Sequence, residues 1–524
     1  MSSTALGKPA VAELPPEPVQ TVQAEKHSYW QILKSSALIG GSTAVNVVVG
    51  VVRTKVMAML LGPSGVGLLG IYNSISDLSF TIMGMGVNSS GVRQIAEAAA
   101  SNDPDRIAMT ATVLRRACWV LGLIGSALLV IFAKQVSRFT FDSDRYGTGV
   151  ALLSIAILFR LVSAGQGALI QGMRRIADLA SMGVLGAMLG IAISVPVVYF
   201  FRENGIVPSL IGVAAMTILS SWWYSRKIQV PRRVIAAAEV RREAFALLKL
   251  GFAFMASGLM TMGAAYLIRI TILRKLGVDA AGLYQSAWML AGLYVGFILQ
   301  AMAADFYPRL SAQANNHPVC NRIVNEQAHV GLLLAGPGAT ATLTFAPAVI
   351  AIFYTAKFYA AVEVLRWICL GTALQVVTWP MGFIIVAKGK QNLFFWTELA
   401  WTVFYVALAW WCVRTFGLNG AGMAFFGSYV FHILMIYPIV RKLSGFRWSA
   451  ENKQAGWLFL SLIGLVFAAF HALPLLWAMC LGSAALLLSA GYSLRTLADL
   501  VAFDRVPSFL QPLVAWLRPA TSRV

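Results

Sequence analysis

From residue 32 to residue 495 the chain alternates between apolar runs of about twenty residues, the length a helix needs to cross a bilayer, and short breaks carrying Gly, Pro, Asn or charge. The alternation predicts fourteen helices, near 32–60, 65–91, 107–133, 147–172, 176–200, 206–225, 246–274, 279–307, 328–354, 358–386, 393–413, 418–440, 456–473 and 475–495. No ten-residue stretches alternate in the manner of barrel strands, and backbone exposed to lipid must satisfy its own hydrogen bonds, so the expected spans are helices. Residues 1–28 are polar, with LPPEP at Leu14–Pro18, and lack the apolar core and cleavage site of a secretory signal. They read as a disordered cytoplasmic tail.

The pattern also repeats. The turn LGPSGVGLL from Leu61 to Leu69 returns as LGVDAAGL from Leu276 to Leu283, an offset of 276 − 61 = 215 that also relates Gly62 to Gly277 and Gly67 to Gly282. Leu33-Lys34 and Leu248-Lys249 keep the same offset, and Arg106-Ile107 answers Arg322-Ile323 within one residue. Six helices, an even number, fall within one offset, so both copies are expected the same way up, as parallel repeats about an axis along the membrane normal. The division is then a tail (1–28), an N-terminal six-helix lobe (29–225), a basic cytoplasmic linker (226–245) and a C-terminal six-helix lobe (246–440). An extra helical pair (441–495) has no partner in the first half, and an amphipathic cytoplasmic tail (496–524) closes the chain. Transporter folds of this kind place substrate at the seam between the repeats.

Composition narrows the class. Hydrophobic residues make up 58% of 524 and charged ones only 12%, with a mean hydropathy of +0.73; a soluble domain carries roughly a quarter charged residues. The net charge of +20 points to basic cytoplasmic loops rather than to nucleic acid. Arg174, Arg175, Arg226, Lys227, Arg232, Arg233, Arg441 and Lys442 fall on one side of the predicted topology, against sparser Lys134, Arg145, Arg202 and Lys357 on the other. Both termini are therefore expected in the cytoplasm. The cysteines, Cys118, Cys320, Cys369, Cys412 and Cys480, show no CxxC spacing, so neither a disulfide framework, a metal site nor a cofactor is expected.

Charges within the apolar runs are the candidate chemistry, because each costs about 2.5–3.5 kcal/mol at the centre of a span unless it finds a partner, a cavity or the interface. Arg53, Arg160, Arg269 and Asp77 are read as lining a cavity. Arg53 lies nine residues before Gly62 and Arg269 eight before Gly277, which sets two guanidinium groups at nearly equal depth in corresponding helices. Lys55 and Arg366 are further candidates for binding; Lys55 can instead reach the outer interface, and Arg366 can instead pair with Glu363 three residues earlier on the same helical face. Asp77 is the candidate for a proton or sodium coupling step, since a desolvated carboxylate can titrate near neutrality.

The stretch LLGPSGVGLLGIYNSISDLSF, followed by GMGVNSSGVRQIAE, resembles the Wzx-type O-antigen and polysaccharide flippases of the multidrug/oligosaccharidyl-lipid/polysaccharide exporter superfamily, over roughly residues 30–440. The resemblance implies an all-α polytopic fold of two six-helix bundles in a V, with two extra C-terminal transmembrane helices here, as in the related lipid II flippases. It implies a location in the bacterial inner membrane among membrane lipids, and an undecaprenyl-diphosphate-linked oligosaccharide as cargo, moved by alternating access. It also implies polysaccharide polymerase and chain-length regulator proteins as partners, and maps the basic cavity residues onto Arg53, Arg160 and Arg269. A drug or cation antiporter of the same superfamily is the alternative, and would favour carboxylates where this chain has mostly arginine. A membrane glycosyltransferase or polymerase would need acids, bases or metal ligands on a sizeable outer loop, and no predicted outer loop exceeds about fifteen residues. The expected role is transport, not catalysis.

Overall fold

A computed structural model describes residues 19–101, 103–229 and 237–500. The first half comprises α1 (Val19–Gly84), α2 (Val87–Ala100), α3 (Pro104–Ile131), α4 (Ala133–Phe141), α5 (Gly147–Gly172), α6 (Ile176–Phe201) and α7 (Ile206–Ser225). The second comprises α8 (Ala237–Leu276), α9 (Val278–Ala312), α10 (His317–Thr344), α11 (Ala346–Phe353), α12 (Val362–Ala387), α13 (Gln391–Phe416) and α14 (Asn419–Ser444), followed by α15 (Ala450–Ala472) and α16 (Leu475–Leu500). Among the described residues there are no strands. Ten stretches are long and apolar enough to span a membrane. Two of these, Gly41–Gly84 and Ile176–Ser225, hold two helical legs each. Those second legs, the bent pair α10–α11 and the 35-residue α9 complete the fourteen that hydropathy predicts. The first helix starts at Val19, so residues 19–28, read as tail, are helical; 1–18 and 501–524 of the expected tails and 230–236 of the linker lie outside the described residues.

Backbone geometry carries the repeat further than residue identity does. Gly62 (φ 66°, ψ −169°) breaks α1 into two legs, and Gly277 (φ 88°, ψ 176°) separates α8 from α9 in nearly the same conformation. Glycine lacks the Cβ that makes this left-handed region costly, and Pro63 then opens the second leg where its missing N–H is harmless. Two more left-handed positions recur at the same spacing, Arg174 with Gly389 and Arg202 with Gly417 (389 − 174 and 417 − 202, both 215). The third helix of each half starts alike: Asp103 accepts from the amide of Asp105 and Asn316 from that of Val319, each followed by a proline in the first turn.

The largest buried cluster runs through both halves, from Ile71, Tyr72 and Ile157 to Tyr284, Ile368 and Phe425. The extra pair packs chiefly on α10. Ser449 caps α15, and the Asn452 amide donates to the backbone and side-chain oxygens of Asn325 on α10 at 2.8 and 2.9 Å. Facing outward are large apolar side chains such as Trp457, Leu476 and Leu487, each more than 70% exposed. That is the surface of a protein whose solvent is lipid.

Candidate functional site

A cavity of about 820 Å³ opens between the halves. Both legs of α1 line it, with α8 and α9 opposite and α12, α13 and α14 behind. The Gly62 kink puts Arg53 on one leg of α1 and Asp77 on the other, so that both reach one void. Arg269 lines it from α8. Its Nε donates to Gln285 Oε1 at 2.9 Å and its Nη1 to the Ala265 carbonyl at 3.2 Å. Among the described residues Arg53 has no ion-pair or hydrogen-bond partner. An unpaired guanidinium in a membrane cavity is costly to the empty protein and favours an anion that fills it.

Arg160 reaches the cavity only through a neighbour. Its Nη2 pairs with Asp77 Oδ1 at 2.7 Å, its Nη1 donates to Ser76 Oγ at 2.7 Å, and the guanidinium lies 5.0 Å from the centre of the Phe80 ring. Ser76 and Asp77 belong to α1 and Arg160 to α5, so this contact fixes the second leg of α1 inside its own half. Asp77, whose side chain is 44% exposed, touches cavity and arginine alike.

Two candidates sit elsewhere. Lys55 Nζ donates to the backbone carbonyls of Ala351, at 2.6 Å, and Tyr354. Two residues along α1 from Arg53, about half a turn, it points to the second half as a tie at the end that carries the glycine turns. Arg366 is buried at 5% exposure, pairs with Glu363, and stacks 3.8 Å from the Phe470 ring of α15. His471 Nε2 lies 3.4 Å from the other Glu363 oxygen. Depth along a span places a charge in the membrane but not its direction around the helix, and Arg366 faces the extra pair rather than the cavity.

The aromatic wall escapes a reading based on charge. Tyr284 and Trp288 on α9, Trp401 and Tyr405 on α13, and Phe425 and Tyr429 on α14 all line the cavity. Each pair is spaced i,i+4, one helical face. That spacing is visible in the sequence, but aromatics are common in membrane helices and only packing separates a cavity wall from a lipid-facing belt.

The halves touch at both ends of the cavity. At the turn end, Gly67 and Gly282 bring α1 and α9 together, and a Cβ on either would collide with backbone of the opposite helix, at the Val278 or Pro63 carbonyl. The Thr140 hydroxyl lies 2.6 Å from that of Tyr266, and Arg274 donates to the Arg138 carbonyl at 2.9 Å. At the linker end Gly86 and Gly251 meet in the same way.

Comparison with known proteins agrees with this geometry. The sequence pattern of the family described as "Polysaccharide biosynthesis protein" matches residues 56–363, more than half the chain. The Lipid III flippase of Escherichia coli (strain K12) is 20% identical over 409 residues, covering 76% of this chain and 95% of that protein. Among solved structures, the lipid II flippase MurJ in an inward closed conformation superimposes with a TM-score of 0.67 at 12% identity, over 88% of this chain and 99% of that one. An inward-facing multidrug transporter of the MATE family superimposes with a TM-score of 0.61 at 16% identity, over 76% and 96%.

Proposed function

The chain belongs to the polysaccharide biosynthesis protein family, and from that membership we propose that it is a flippase, carrying an undecaprenyl-diphosphate-linked oligosaccharide from the inner to the outer leaflet of a bacterial inner membrane. The observation that carries the reading is Arg53, unpaired among the described residues, facing the same void as Arg269 across the seam between the halves. A diphosphate is the part of such a lipid that hydrocarbon rejects, and guanidinium binds phosphate oxygens through paired, charge-assisted hydrogen bonds. The prenyl chain stays in the bilayer while the head group occupies the cavity. An antiporter of cations has less support, since Asp77, the one carboxylate on the cavity wall among the described residues, already faces Arg160.

The orientation belongs to the proposal. Arg175 donates to the Lys227 carbonyl at 3.2 Å, and Lys227 and Arg175 both approach Asp178. These basic residues gather at the linker end, which the positive-inside bias assigns to the cytoplasmic face. Outward movement of the anion then gains up to about 2.3 kcal/mol per charge for each 100 mV traversed. A proton or sodium ion exchanged at Asp77, which competes with Arg160 for the carboxylate, supplies the coupling step, and polymerase and chain-length regulator proteins receive the product.

The test is transport in liposomes that hold the purified protein and a diphosphate-linked glycolipid labelled in one leaflet. Wild-type protein is expected to deliver the label to the opposite leaflet, read by a membrane-impermeant lectin, and Arg53→Ala with Arg269→Ala to abolish delivery. A wild-type protein that leaves the glycolipid in place while exchanging organic cations for protons establishes the antiporter instead.

A further inference from the structure

The cavity is chemically one-sided. Of the six aromatics that line it from α9, α13 and α14, Trp288 and Trp401 are partly exposed, and Tyr284, Tyr405, Phe425 and Tyr429 are buried behind them. Trp288 meets Phe425 edge-on, with centroids 5.3 Å apart and planes at 83°, while Trp401 stacks on Tyr405 at 5.6 Å and 26° and touches Tyr429 at 5.6 Å. Phe425 links the two sets through Tyr405 at 5.9 Å and Tyr429 at 5.1 Å. The indole planes are thus held in place before any ligand arrives, which lowers the ordering cost of binding.

The repeat shows that this wall is not a by-product of helix packing. Helices α6 and α13 begin and end 215 residues apart (391 − 176 and 416 − 201). That register puts Gly186 and Gly190 of the first half opposite Trp401 and Tyr405 of the second. In α6 the glycines admit α7: a Cβ on Gly186 would lie 3.1 Å from Ser220 Oγ, and one on Gly190 3.5 Å from Val213. The first half uses these positions for close packing, and the second builds rings onto the void. Trp288 likewise answers Asn73, which also lines the cavity.

We propose that the exposed indole faces of Trp288 and Trp401 form a sugar-stacking subsite that holds the first pyranose of the head group while Arg53 and Arg269 hold its diphosphate. One face of a pyranose presents C–H groups carrying partial positive charge, and these suit the negative face of an indole. Gln285, which holds Arg269, stands three residues before Trp288 on one helical face. The residue that holds the Arg269 guanidinium and the first stacking residue are therefore separated by about 4.5 Å of rise along α9, so a diphosphate held by Arg269 and the sugar it bears can engage one stretch of the wall. Asn73, Gln285 and Gln375 offer uncharged donors and acceptors to the ring hydroxyls. The subsite favours sugars with one unobstructed C–H face and tolerates change at the distal end of the glycan.

This inference rests on the flippase reading, and two probes separate their failures: farnesyl diphosphate, and the same diphosphate bearing a single glucose, each titrated calorimetrically into the purified full-length protein. Wild type is expected to bind the glucosylated probe about tenfold more tightly. Trp288→Leu with Trp401→Leu brings the two affinities within about twofold while farnesyl diphosphate binds as in wild type, which also establishes that the variant is folded. Trp288→Phe with Trp401→Phe recovers part of the preference. Equal binding of both probes by wild type, or a glucose preference that survives the double leucine change, overturns the subsite and leaves the flippase reading standing. Loss of farnesyl diphosphate binding in the leucine variant overturns it too, by assigning the wall to the prenyl chain. Binding of neither probe by wild type overturns both.

Discussion

Arg53 and Arg160 show how one residue type takes two roles in neighbouring spans. Arg160 has a carboxylate, a hydroxyl and an aromatic ring around it, whereas Arg53 has the cavity alone. Charge-assisted hydrogen bonds contribute about 1.5–3 kcal/mol each, so Arg53→Ala is expected to weaken diphosphate binding about ten- to hundredfold, measured by calorimetry. Arg53→Lys should recover only part, because an ammonium cannot bind two oxygens through a planar fork. Asp77→Asn removes the counter-ion of Arg160 and the carboxylate proposed for coupling. Transport by the variant in liposomes is expected to lose its pH dependence; an unchanged pH profile would remove Asp77 from coupling. These arginines could be picked out from the sequence because a charge in an apolar run has few places to go. Arg366 obeys the same cost and meets it with Glu363 and Phe470.

Helix α15 is bound to its neighbours by the stack of Arg366 on Phe470, by His471 against Glu363 and by the Asn325–Asn452 contacts. Arg366→Met removes the stack on Phe470 and leaves Glu363, whose side chain is 36% exposed, without its closest partner, a loss of about 1.5–3 kcal/mol. The expected result is a clearly lower unfolding temperature in detergent, partly restored by adding Glu363→Gln, with diphosphate affinity unchanged in both. At the seam, the approach of α1 to α9 depends on Gly67 and Gly282, and that of α1 and α2 to α8 on Gly86 and Gly251. Gly282→Leu is expected to hold the turn end apart and to stop transport while binding persists, seen as a thiol reagent reaching a cysteine placed at Asn73 on the cavity wall. Continued transport by Gly282→Leu would mean that this crossing never has to close. The turn motif of the sequence announces both glycines of the turn end, since they lie in the repeated LGPSGVG and LGVDAAG. Gly86 and Gly251 share no such motif, and only the fold brings them together.

At the level of the whole molecule, two like-built halves joined at both ends of a shared cavity suit a carrier that opens one end at a time. Spin labels at Arg145→Cys and Lys357→Cys, exposed positions of opposite halves near the turn end, are expected to report two distance populations. A diphosphate-linked glycolipid should redistribute them, and a single unchanging population would exclude movement at that end. The sequence by itself determined the membrane class, the helices and the duplication, because burial in lipid demands about twenty apolar residues per span and a repeated turn keeps its register wherever it stands. It also singled out Arg53, Arg269 and Asp77, since a membrane makes isolated charge expensive. Tertiary structure alone decided which way each helix turns its faces. That rotation sent Lys55 to a tie between the halves and Arg366 to the extra pair, joined Arg160 to Asp77, and turned three ordinary aromatic pairs into one wall. Hydropathy sets how deep a residue lies, whereas its direction around the axis follows from packing against helices distant in the chain.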